Sequence, residues 1–253
     1  MIPSDVAIHS LADASPLRSY DWPARGPAPP GYLRGLAVAF VRMLSMIERP
    51  DEGDVELRLR QHGALAFQIA TSEQVGHPDT DVLSWYSNEL CAAGATMTTN
   101  GERLVGVFAI LTGLGMRESS GLHCVGADTP RSRGEPTTEE NAEAGLFQVS
   151  YDAIGENRQR RALFETYRGR TDLADVFASG ARCRPHDWHN HGSGTGAAFQ
   201  ETMKNCPFFA ILFTAAMLRE ERSHWGPINK RQVHVRPDAV AFFRTLTRLV
   251  YGF

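Results

Sequence analysis

Leu104-Val-Gly-Val-Phe-Ala-Ile-Leu-Thr-Gly-Leu-Gly-Met116 is an almost unbroken apolar run that stops abruptly at Arg117-Glu118-Ser119-Ser120-Gly121. A polar loop with Gly126, Pro130, Gly134 and Pro136 follows, and a second compact motif closes it: Ala142-Glu-Ala-Gly145-Leu-Phe-Gln148-Val-Ser150-Tyr151. The apolar run reads as a buried helix, and Glu118 sits at its end. Desolvation disfavours the charged form of a carboxylate, which suits a general acid working near neutral pH. The competing reading is an ordinary helix-end ion pair, with Arg117 as the neighbour.

The two motifs taken together are more specific than either alone. Glu118-Ser119-Ser120-Gly121 followed by Gly145-Leu-Phe-Gln-Val-Ser150 resembles the lysozyme-like superfamily, in particular goose-type lysozymes and soluble lytic transglycosylases. The resemblance covers Leu104 to Tyr151, about a fifth of the chain. It implies that Glu118 is the catalytic acid. It also implies that Gly145, Phe147, Gln148, Ser150 and Tyr151 line a sugar cleft, and that Ser119 and Gln148 orient the acid or the substrate. Asp128 is the rough counterpart of a loop aspartate that helps hold the attacking water in goose-type enzymes; the plainer reading is a turn-stabilising Asp.

The chain departs from the family pattern in two places. Where goose-type enzymes carry a second aspartate after the Gln-Val pair, this sequence has Ser150, with Asp152 close by. The Ala-Tyr-Asn-Ala-Gly segment common in relatives is absent, leaving Tyr151 or Trp188 to take the place of its tyrosine. An inverting hydrolase needs a second carboxylate roughly 6.5–9.5 Å from the acid to activate water. A lytic transglycosylase needs none, because the C6 hydroxyl of the sugar closes a 1,6-anhydro ring. The sequence leans toward the single-glutamate chemistry.

Outward from this core, the expected class is mainly α: a lysozyme-like helical domain with an N-terminal helical extension. Residues 1–31, with Pro16, Pro23, Pro27, Pro29 and Pro30, read as an extended arm or linker. Residues 32–100 read as a helical region packing on a catalytic part at 101–253. Leu33, Leu36, Phe40, Met43, Leu44 and Ile47 repeat at helical spacing over Tyr32–Ile47. Further helices are expected over Glu56–Ile69, Asp79–Ala92, Ala162–Tyr167, Leu173–Phe177, Pro207–Leu218 and Pro237–Tyr251, and a turn over His224–Asn229 in which Trp225 plugs the core or, as the alternative, stacks on a sugar. Thr137 with Glu140 fits a capping box that starts a short helix.

Other functions find little support. The net charge of −3 provides no electrostatic footprint for nucleic acid. No apolar run approaches the 18 or so residues of a membrane span. His186, Asp187, His189 and His191 invite a metal reading, yet their spacing matches no closed structural zinc site, so no metal and no cofactor is expected. Gly192-Ser-Gly-Thr-Gly196 lacks the Lys-Ser/Thr of a phosphate loop. Of the four cysteines, Cys183 with Cys206 and Cys91 with Cys124 are the pairings considered first, against buried free thiols.

The expected function is therefore a muramidase cleaving the β-1,4 bond between N-acetylmuramic acid and N-acetylglucosamine, with peptidoglycan glycan strands as partner. The start Met1-Ile-Pro-Ser-Asp-Val is no ordinary signal peptide. Work in the periplasm or outside the cell then suggests export by a dedicated secretion system, as for an antibacterial effector, with an immunity protein that plugs the cleft. A chitinase-like glycosidase and a non-catalytic wall-binding module on the same fold are the alternatives.

Overall fold

The computed structural model describes residues 3–48, 68–69, 79–126 and 136–252. Among these the chain is mainly helical, with no strand. Eleven α-helices follow in order: α1 (Asp5–Ala14), α2 (Pro30–Glu48), α3 (Val82–Trp85), α4 (Ser87–Ala92), α5 (Asn100–Ser119), α6 (Arg158–Tyr167), α7 (Ala174–Ala178), α8 (Thr195–Asn205), α9 (Pro207–Glu220), α10 (Gly226–Asn229) and α11 (Pro237–Tyr251).

Helix α5 lies at the centre, and its sequence explains why. Thr99 caps its start by accepting the amide of Glu102 at 3.2 Å. From Leu104 to Met116 every residue is buried, as an apolar run without a polar face requires. At the far end Ser120 turns into the left-handed region (φ +56°), and the amide of Gly121 reaches back to the Gly115 carbonyl at 3.1 Å. That stop places Glu118 and Ser119 in the last helical turn.

Helices α2 and α11 flank α5 and also pack on one another. Phe40 of α2, Phe108 of α5 and Phe243 of α11 meet with ring centroids 5.0–5.3 Å apart. Tyr32 of α2 donates to the carbonyls of Leu111 and Thr112 at 2.9 Å each, and Gly115 makes this crossing possible. A Cβ at Gly115 would stand 2.3 Å from the Tyr32 hydroxyl oxygen. The Glu102 carboxylate receives Arg244 at 2.5 and 2.8 Å, pinning α5 to α11.

A second group of helices, α6, α8 and α9, packs around Phe164, Phe199, Phe209 and Phe213. Helix α9 is buried almost throughout, matching its continuous apolar sequence. A single buried cluster runs through both groups, from Ile8 to Val250.

Three expectations are corrected here. Residues 5–14, read as part of an extended arm, form α1, with Ile8 and Ala12 buried and the helix packed on α2. Ser4 accepts the Ala7 amide as its cap, and the prolines that suggested an arm all come later. The single helix expected over Asp79–Ala92 is two, because Asp81 caps α3 and Tyr86 leaves helical geometry (φ −97°, ψ 18°) before α4. The helix expected after Thr137 is a turn instead. Thr138 and Asn141 bond reciprocally, the Thr138 amide to Asn141 Oδ1 at 2.7 Å and the Asn141 amide to Thr138 Oγ1 at 3.3 Å. Most of the helix expected at Glu56–Ile69 lies outside the described residues.

Candidate active site

The two halves of the sequence motif meet. Ser119 Oγ, 27 residues from Leu146, donates its proton to the Leu146 carbonyl at 2.8 Å and shares it with Gly115 O at 3.0 Å. Gly145 to Gln148 form a tight turn closed by mutual backbone bonds between Ala144 and Val149 at 3.1 and 3.2 Å. Gly145 (φ +78°) and Gln148 (φ +47°) both take left-handed backbone to make it. Glycine is required at 145 for a second reason: a Cβ there would stand 2.7 Å from the Met203 carbonyl of α8.

Three separate parts of the chain hold this turn by its backbone. Besides Ser119 on the Leu146 carbonyl, Val125 O accepts the Gly145 amide at 2.9 Å, and the Trp225 indole donates to Phe147 O at 2.8 Å. Gln148 Nε2 turns inward to Gly145 O at 2.9 Å. Gln148 Oε1 is left buried without a hydrogen-bond partner. Such an acceptor is costly to leave unmet, so it calls for a partner such as an ordered water, an ion or a ligand.

The remaining expected site residues fall into three places. Glu118 is half-buried at the end of α5. Arg117, the neighbour considered for an ion pair, turns away to Gln232 Oε1 at 3.1 Å and makes no ion pair among the described residues. Phe147 is wholly buried and contributes packing plus a carbonyl. Ser150 is buried, and its hydroxyl is spent on Asp152 Oδ1, while Asp152 itself is exposed. Tyr151 is half-buried, edge-on to Phe164 and Phe199 at 6.1 and 5.8 Å. Asp128 lies outside the described residues.

The loop that follows α7 forms a rim next to this site. From Cys183 to Thr195 none of its side chains is buried, so packing does not hold it. It is held by covalent and polar ties. A disulfide joins Cys183 to Cys124, in the segment that leaves α5. This overturns both pairings considered from sequence: Cys91 is exposed and free, and Cys206 is a buried thiol. Burial pushes the Cys206 thiol up to about 11. Glu139 Oε2 accepts the Ser193 amide at 2.8 Å, and Gln200 bonds the backbone of His191 on both sides.

Lys204 and His123 lie beneath the rim. Lys204 Nζ donates to the carbonyls of His189 (2.9 Å) and Asp187 (3.4 Å). Burial draws its ammonium down to about 8. The His123 ring, 2% exposed, uses Nδ1 on the Lys204 carbonyl at 2.8 Å and lies edge-on to the exposed Trp188 at 5.5 Å. Burial lowers its pKa and keeps it neutral near pH 7. The histidines read as metal candidates do not converge: among the described residues no group of three or more His, Cys, Asp or Glu side chains is placed to hold a metal ion. No helix among them is long and apolar enough to cross a membrane.

Trp225 and Lys204 were not singled out for these roles from sequence. Of the two readings of Trp225, core residue or sugar-stacking ring, its 2% exposure fits the core, but its use as a clamp on the 145–148 turn depends on a contact 78 residues away. Lys204 carries no local signal at all. The chain matches no protein-family model, no curated protein and no solved structure.

Proposed function

We propose that this protein cleaves the β-1,4 bond between N-acetylmuramic acid and N-acetylglucosamine in peptidoglycan, with Glu118 as general acid. The observation that supports it most is the hydrogen bond from Ser119 to Leu146, which joins the two motifs into one rigid unit. In this reading Glu118 gives its proton to the leaving glycosidic oxygen. Gln148 Oε1, the acceptor left open in the turn, takes a hydroxyl or amide proton of the bound sugar.

Single-glutamate chemistry is the favoured form. Asp152, the carboxylate nearest in sequence to the missing second aspartate, is exposed and already accepts the Ser150 hydroxyl. The C6 hydroxyl of the muramic residue then attacks C1 as the glycosidic bond breaks. Its proton passes to the Glu118 carboxylate, which restores the acid and leaves a 1,6-anhydro end.

The test is digestion of purified peptidoglycan by wild type and Glu118→Gln, with products read by mass spectrometry. Anhydro products from the wild type, reduced at least ~100-fold in the variant, are expected for loss of a general acid. Reducing-end products would keep the muramidase and replace the anhydro step by hydrolysis. Equal activity of the two proteins, or none from the wild type, would overturn the reading.

A further inference from the structure

A small cleft, with a free volume of about 30 Å³, lies on the flank of α5 directly before Glu118. It is far below the roughly 300–1,000 Å³ that takes a drug-sized ligand whole, so it suits a single functional group at most. Its walls carry Trp22, Arg25, Met116, Arg117, Gln232 and His234. Three of these are basic, and no acidic side chain lines it.

The cleft is assembled from three parts of the chain. Met116 and Arg117 come from the last turns of α5. The backbone at 233–234 crosses that helix where Gly113 leaves room; a Cβ at Gly113 would be 2.6 Å from the His234 carbonyl oxygen. Arg25 is presented by a tight turn in which Trp22 and Gly26 bond reciprocally at 3.0 and 3.1 Å and Ala24 takes φ +60°.

Its arginines have no carboxylate partner among the described residues, unlike Arg34, Arg244, Arg231 and Arg236, which are matched with Asp13, Glu102, Glu89 and Asp238. Arg25 and Arg117 make no ion pair among the described residues, and Arg117 has only the neutral Gln232 oxygen. The Trp22 indole Nε1, on a side chain 3% exposed, is buried with no hydrogen-bond partner. A buried N–H left unmet is uncommon, and guanidinium groups match the two oxygens of a carboxylate.

We propose that this cleft binds a carboxylate of the substrate. Because the muramidase reading supplies the ligand's identity, the carboxylate is assigned to the peptide attached to the glycan. The cleft would then seat that peptide beside the helix end that carries Glu118, and would favour strands whose peptides are ionised over amidated ones.

The test measures binding rather than cleavage, so that its failure is separable from failure of the muramidase. Full-length Glu118→Gln protein is titrated calorimetrically with the free stem peptide, the same peptide with its carboxylates amidated, and acetate. A second titration uses protein that also carries Arg25→Gln and Arg117→Gln, with folding checked by circular dichroism; Arg25 is exposed and Arg117 half-buried. The ionised peptide should bind, the amidated peptide at least ~10-fold more weakly, and the arginine variant should lose that preference. Equal binding of both peptides, unchanged binding by the variant, acetate binding as tightly as the peptide, or no binding at all would each overturn the proposal. Binding in the expected pattern by a protein that releases no glycan products would retain the site while rejecting the activity.

Discussion

Lys204 shows how much one buried side chain can alter the pH response of this molecule. It is 1% exposed, and burial lowers its ammonium from an ordinary 10.5 to about 8, against the pull of nearby Glu201 and Asp187. Between about pH 8 and 10.5 the unfolded chain therefore holds this proton more firmly than the folded one. Stability contributed by Lys204 must rise with pH across that window. Compared with Lys204→Met, the wild type should gain up to about 3 kcal/mol from pH 8 to 10.5, at roughly 1.4 kcal/mol per unit, with no change below pH 8. Urea unfolding of both proteins at several pH values measures this. A difference that stays constant across the range would mean that the folded protein leaves the lysine solvated.

At the level of elements, the rim loop and the 145–148 turn are held in opposite ways. The turn is set in the core, bonded from Ser119, Val125 and Trp225. The rim has no buried side chain, and the Cys124–Cys183 bridge across 59 residues is its covalent tie. Closing a loop of that length stabilises by about 4 kcal/mol in the chain-entropy estimate. The double variant Cys124→Ala, Cys183→Ala should lose stability of that order in denaturant unfolding, and limited proteolysis should cut between residues 184 and 194 first. Wild type under strong reductant should follow the variant. Cleavage elsewhere, with little loss of stability, would show that Lys204, Gln200 and Glu139 seat the rim without the bridge.

Across the whole molecule α9 is tied to the start of α3 by an ion pair removed from water. Arg219, near the end of α9, meets Asp81 at 2.5 Å, and both side chains are fully buried. Asp81 also caps α3, and Arg219 also donates to the Ile69 carbonyl. Removing one partner leaves the other charge buried alone, which typically costs about 3–5 kcal/mol. Arg219→Met should therefore lower unfolding free energy by about that amount, and adding Asp81→Leu should recover part of it. A loss under about 1 kcal/mol for the single variant would mean that water reaches Asp81.

What the sequence by itself determined is the set of long helices. Tyr32–Ile47, Leu104–Met116, Pro207–Leu218 and Pro237–Tyr251 are legible because helical periodicity and apolar runs are local properties, carried within a few turns of one segment. Helix α1 escaped for want of a strong run, its buried stripe being only Ile8 and Ala12. Tertiary structure alone decided which cysteines pair, that Trp225 clamps the turn at Phe147, that Ser119 faces Leu146 rather than a substrate, and that Arg25 and Arg117 share a cleft with Trp22. Each of these brings together parts of the chain 27 to 95 positions apart. Such contacts depend on the route of the chain between them, and no local preference encodes that route.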